Sequence, residues 1–218
     1  MSKQRRSVLP WLTIAIAAYW LLVVAAMHLL EPEFDPVRDY VSPYVLGAYG
    51  AWMTTSFFAG AAIAFLLAFG LARALPSTAW TKAGIVLFCI AGCGDIAMGL
   101  SPTQYPLTPP LTHQTLIHLL AGLATFNAFG LGFTSFSVSF RSTMHWRHVS
   151  MAALIVSLLL LAMFNDRWLW RLGEGTDGLK ERVMIVLMFV WLGLAVTPWI
   201  RWAADAEGGI GVRTPAHQ

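Results

Sequence analysis

The sequence predicts an all-α polytopic membrane protein, a single bundle of six transmembrane helices with the N and C termini cytoplasmic. Three observations predict it. Charged residues make up 11% of the 218 residues and hydrophobic ones 57%, whereas a soluble domain carries about 25% charged residues. Six apolar runs approach the ~20 residues that cross a bilayer as a helix. Lys and Arg alternate from loop to loop as membrane topology requires. At a mean hydropathy of +0.65, too few polar side chains remain to cover a water-facing surface. That excludes a soluble globular domain, a coiled coil and a disordered chain.

The first run, residues 8–30, follows Lys3-Gln4-Arg5-Arg6. It is longer than the ~7–15-residue core of a signal peptide, so it reads as a retained anchor that orients the chain. The others are residues 48–72, 82–100, 113–140, 149–165 and 179–202, separated by loops rich in Pro and Gly. The fourth is long and the fifth short. One domain is expected over 1–202, followed by a polar cytoplasmic tail over 203–218. One side of the membrane then holds Lys3, Arg5, Arg6, Arg73, Lys82, Arg141, Arg147, Arg201 and Arg213. The other holds Arg38, Arg167, Arg171, Lys180 and Arg182, with Glu31, Glu33, Asp35, Asp39, Asp166, Glu174, Asp177 and Glu181. The first side is cytoplasmic by the positive-inside rule, and the plasma membrane is the expected location. The net charge of +3 is a topology signal and no nucleic-acid footprint, because no basic stripe interleaved with aromatics is present.

Within the runs, Ser56, Gly60, Ala64 and Ala68 recur at spacing four, as small residues do where helices approach closely in lipid. Trp11, Trp52, Trp80, Trp146, Trp168, Trp170, Trp199 and Trp202 fall near run ends, where an aromatic belt is expected. Cys89 and Cys93 share one run, lack zinc-site spacing, and read as small buried packing residues.

Ionisable groups inside spans are costly and are functional candidates by default. The alternation of spans gathers His28, Asp95, His118, Asn165, Glu181 and Arg182 into the outer part of the membrane, beneath the acidic, aromatic loop 31–49. The inner half contributes almost no polar group. The expectation is an outward-facing polar pocket. Asp95, a lone carboxylate, must be protonated, hydrated or paired, with Arg182 or His118 as partner. Arg182 opens a helix, where a cation is disfavoured, and calls for Asp95, Asp39 or a lipid phosphate. His113 and His118 lie about 140° apart on a helix and so share no face. Arg38 and Ser42, four apart in the loop, are able to meet on one helical turn.

Several of these residues form a pattern. Arg38-Asp39-Tyr40-Val41-Ser42, then Leu46-Gly47 and Tyr49-Gly50, precede an Asp-bearing third span that ends in Ser101-Pro102. The next span opens with His113 and His118, and the last begins Gly178-Leu179-Lys180-Glu181-Arg182 and contains Trp191. This resembles the six-helix membrane proteins grouped as the domain of unknown function numbered 998, which are distantly similar to Frag1/DRAM/Sfk1 membrane proteins. The resemblance covers about residues 10–202. It implies the six-helix fold and a plasma-membrane location, and no activity. It singles out Arg38, Ser42, Asp95, His118, Glu181 and Arg182.

The leading reading is a pocket for a lipid or isoprenoid-type amphiphile, with membrane lipid as the partner and no nucleic acid. Arg38 and Arg182 would hold an anionic headgroup. The ligand-binding set is His28, Arg38, Asp39, Ser42, His113, Asn165, Glu181 and Arg182. An enzyme is the alternative: Asp95 and His118 would be catalytic, either as metal ligands with His28 or as a histidine base oriented by Asp95, acting through Ser42 or water. A haem site on His28 and His118 and a scaffold subunit latched by the polar layer are further alternatives. The cofactor stays unknown from the sequence, no signature such as H-E-x-x-H or G-x-S-x-G is present, and no polar stripe runs the length of a helix as a channel would need.

Overall fold

The computed structural model describes residues 4–169 and 175–208. Lys3, Trp170, Arg171, Glu174 and Arg213 lie outside the described residues, as do the side chains of Arg5, Arg6, Asp166, Arg167 and Trp168. The described chain forms six helices and no strand: α1 (Gln4–Leu30), α2 (Gly50–Ala74), α3 (Ala79–Leu100), α4 (His113–Ser139), α5 (Ser150–Leu169) and α6 (Asp177–Gly208). Short 3₁₀ turns cover Ser42–Leu46 and Phe140–Ser142. All but α5 are long and apolar enough to cross a membrane, and the apolar part of α5, Ser150–Asn165, is shorter. Helix α6 continues past 202, so part of the expected tail is helical, and Ala203 is buried.

Local chemistry sets the helix starts. Thr78 and Thr112 each accept a hydrogen bond from the amide three residues on, Thr81 and Thr115, both at 3.1 Å. Each hydroxyl thereby satisfies one amide that the first turn leaves without a partner. Helix α2 has no such cap. It starts at Gly50, where an added Cβ would collide with the Val45 carbonyl oxygen, so the tight turn admits only glycine.

Each helix packs on its neighbours in chain order, and α6 closes back onto α1. The six therefore form a ring. Contacts fix the direction of the helices: Glu31 after α1 meets the Tyr49 amide before α2, Arg182 of α6 meets His28 of α1, Tyr105 after α3 meets Asp39, and Thr115 of α4 meets the Gln104 amide, so α1 and α3 end, and α2, α4 and α6 begin, at one end of the ring. Glycines act as sockets for rings of other helices. A Cβ on Gly70 would overlap the Trp199 ring, one on Gly132 would stand 2.6 Å from Phe88, and one on Gly84 2.9 Å from Phe136. Small residues permit close approach in lipid, where dispersion contacts replace the hydrophobic effect.

The far end of the ring is filled by Phe88, Phe133, Phe136, Phe140, Trp146 and Trp191. Two expectations are corrected here. Trp146 and Trp199 belong to the core, not to the belt. Trp146 buries its polar edge because Nε1 donates to the Ala195 carbonyl at 2.9 Å. Trp11, Trp52 and Trp80 are exposed, as a belt requires. Nor is this half without polar groups. Trp191 Nε1 donates to Ser137 Oγ at 2.8 Å, and Thr81 Oγ1 to Ser139 Oγ at 3.1 Å. Uncharged hydroxyls escape a count of ionisable residues. Cys89 and Cys93 are exposed, not buried, because α3 turns that face away from the ring.

Candidate ligand cavity

At the end of the ring that carries the 31–49 loop, the helices part around a cavity of about 740 Å³, within the ~300–1,000 Å³ of small-molecule sites. Its walls are mostly apolar: Trp20, Phe57, Phe126, Phe129, Phe164 and Phe189 among them, with leucines and methionines of α4 and α6. Ionisable groups enter at two levels, with Ser56, Thr103, Gln104, Tyr105 and Thr125 as further polar lining. Arg38, Asp39, Tyr40, Ser42, Asp177, Lys180 and Glu181 line it at the loop, and Asp95 and His118 line it deeper in the bundle.

Asp95 sits on the face of α3 that meets α2. Gly60 makes room for it, since a Cβ there would stand 2.7 Å from Asp95 Oδ2. The residue is 7% exposed. Among the described residues its carboxyl has no hydrogen-bond or ion-pair partner. Neither expected partner reaches it. Arg182 is held elsewhere, and His118 directs Nδ1 at the carbonyls of Ser101 (2.8 Å) and Met98 (3.3 Å). Two carbonyls can only accept, so Nδ1 carries the proton and the neutral ring presents Nε2 as an acceptor. Backbone, not Asp95, orients His118. The Phe57 ring meets it edge-on at 5.7 Å. Met98 lies one turn along α3 from Asp95, so the two polar groups differ in depth by about 4.5 Å.

Arg182 clamps the loop and is not among the residues lining the cavity. Its Nε donates to His28 Nε2 at 2.7 Å, Nη1 to the carbonyls of Asp39 and Gly178 at 2.9 Å each, and Nη2 to Tyr44 Oη at 3.2 Å. Its partner is thus the Asp39 carbonyl rather than an acid or a lipid phosphate, and its role in holding a headgroup is set aside. His28 completes the clamp by donating from Nδ1 to the Val24 carbonyl at 2.7 Å. Both ring nitrogens are occupied, so His28 has no lone pair for haem or metal. Burial pushes the Tyr44 phenol above its ordinary range, and Arg182 pulls it partly back.

Carboxylates fix the rest of the loop. Glu181 Oε2 accepts the Val41 amide at 2.5 Å. Asp39 accepts from the Asp35 amide at 2.7 Å and from the Tyr105 hydroxyl. Glu31, read from the sequence only as one loop acid among many, is fully buried and accepts the Tyr49 amide at 2.5 Å. Its place directly after a helix end, with Gly47 facing it, was the available signal. Gly60 and Tyr105 were missed as well.

The remaining candidates separate. Arg38 lines the cavity mouth, but its side chain is 77% exposed and pairs with Asp35 at 3.7 Å. Ser42 lines the cavity at the start of its 3₁₀ turn. His113 is exposed and Asn165 donates to the Leu161 carbonyl at 2.8 Å; neither lines the cavity. Among the described residues no three His, Cys, Asp or Glu side chains gather closely enough to hold a metal ion, so Asp95, His118 and His28 form no joint site.

Ring and helix lengths together define the class: a polytopic all-α membrane protein. Within that class the chain belongs to the DUF998 family of proteins of unknown function, whose profile matches residues 14–198. No curated protein and no solved structure matches it.

Proposed function

We propose that this protein binds a lipid or isoprenoid-type amphiphile in the cavity at the loop end of the ring. The loop end faces out of the cytoplasm and both termini face in, at the plasma membrane. The observation that carries the reading is the cavity itself: about 740 Å³, mostly apolar, with charged side chains at only two levels among the described residues. That pattern suits one long apolar body with a polar head. Leu119, Leu120 and Leu123 are at once cavity-lining and exposed, which favours entry from the surrounding lipid alongside α4. The orientation rests on the Lys/Arg bias.

Native mass spectrometry of the protein released from lipid nanodiscs tests the reading. Wild type should retain an amphiphile of defined mass, and Met188→Trp, which fills the cavity, should lose it. Wild type without any adduct, or equal retention in both, overturns the reading.

A further inference from the structure

We infer that the head of this ligand is a cation, a protonated amine on a long apolar body, and not a phosphate or carboxylate. The inference deepens the amphiphile reading and rests on it. It follows from which charges inside the cavity are already matched. Among the described residues six charged side chains line it: Arg38, Lys180, Asp39, Asp95, Asp177 and Glu181. Both cations already face acids, Arg38 at 3.7 Å from Asp35 and Lys180 at 3.9 Å from Asp177. Nearby Arg182 has its nitrogens turned to His28, Tyr44 and two carbonyls. Among the described residues, then, an anionic head would meet acids in excess and no uncommitted cation.

The deep level asks for a donor. Asp95 is 7% exposed, lines the cavity and has no partner among the described residues. A turn away, His118 presents Nε2 as an acceptor, because Nδ1 is turned to the Ser101 and Met98 carbonyls. Ser56 and Thr125, which line the same cavity, already turn their hydroxyls to the Met53 and Ala91 carbonyls, so ionised Asp95 and His118 Nε2 are the acceptors left for an ammonium, which has donors only. A buried carboxylate is stabilised by an opposite charge brought within a few ångströms. The walls add to this: Trp20, Phe57, Phe126 and Phe129 line the same cavity, and aromatic faces attract cations in desolvated sites.

The test compares hexadecylamine, hexadecanol and hexadecyl phosphate, equal in chain and different in head, on protein in phosphatidylcholine nanodiscs. Empty nanodiscs correct for partitioning, and native mass spectrometry reads retention. The amine should be retained about tenfold better than the phosphate, and Asp95→Asn should remove the amine's advantage while leaving hexadecanol unchanged. Phosphate retained as well as the amine overturns the cation inference and leaves the amphiphile reading standing. An amine advantage that survives Asp95→Asn also overturns it. Retention of none of the three overturns both. The wild-type comparison stands without the variant, should Asp95→Asn fail to fold.

Discussion

A guanidinium presents five donors in a fixed fork, and Arg182 uses that fork to hold α1, the 31–49 loop and its own helix together. Lysine has no such fork and cannot meet these partners at once. Arg182→Lys should therefore lower stability by about 2 kcal/mol, read as thermal unfolding in nanodiscs; an unchanged transition contradicts the clamp. Tyr105 gives a pH signature at the same rim. Its hydrogen bond to Asp39, then burial and the charges of Asp39 and Asp35, raise the phenol above its ordinary 10.0. A raised acid holds its proton more tightly when folded. Its contribution is complete below the ordinary value and is lost as pH rises through the raised one. In an absorbance titration Asp39→Asn should return the Tyr105 component, identified by its loss in Tyr105→Phe, toward 10.0.

Helix α6 carries Gly178 and Gly193, which the sequence cannot tell apart. At Gly178 an added Cβ would collide with the Asp39 carbonyl oxygen and stand 2.9 Å from the same residue's backbone N and C. Backbone cannot step aside as a side-chain tip can, so Gly178→Ala should push the loop off α6 and cost about 2 kcal/mol or more. At Gly193 nothing lies within 4 Å. Gly193→Ala should stabilise the helix by up to about 1 kcal/mol. The paired measurement is thermal unfolding of both variants in nanodiscs, and a shift of the same sign in both would contradict the contact. The start of α6 is thus held by packing against a loop more than a hundred residues earlier, which no local pattern encodes.

Across the whole molecule, the ring brings both loop 31–49 and the starts of α2, α4 and α6 to one end, and residues 140–149 to the other. Cysteines at Glu33 and Met144, both exposed positions, should therefore react with impermeant reagents from opposite faces of the membrane, with Glu33→Cys reacting from outside. The background would be Cys89→Ser with Cys93→Ser, tolerable because both thiols are exposed. Labelling of both sites from one face contradicts the arrangement.

The sequence by itself determined that six apolar stretches form helices and close to where each begins and ends. It also gathered His28, Asp95, His118, Glu181 and Arg182 at one end. Hydropathy summed over a span and the alternation of spans are properties along the chain, and they need no knowledge of neighbours. Tertiary structure alone decided which of those groups meet. Rotation about each helix axis and the register between helices turned Arg182 to His28 and Tyr44, His118 to backbone carbonyls, and Asp95 toward Gly60 with no partner among the described residues. Rotation of α3 sent Cys89 outward, and the path of the α4–α5 connection sent Trp146 inward. A few tens of degrees of rotation separate a clamp from a ligand site, and close packing of rings into glycine sockets sets that angle.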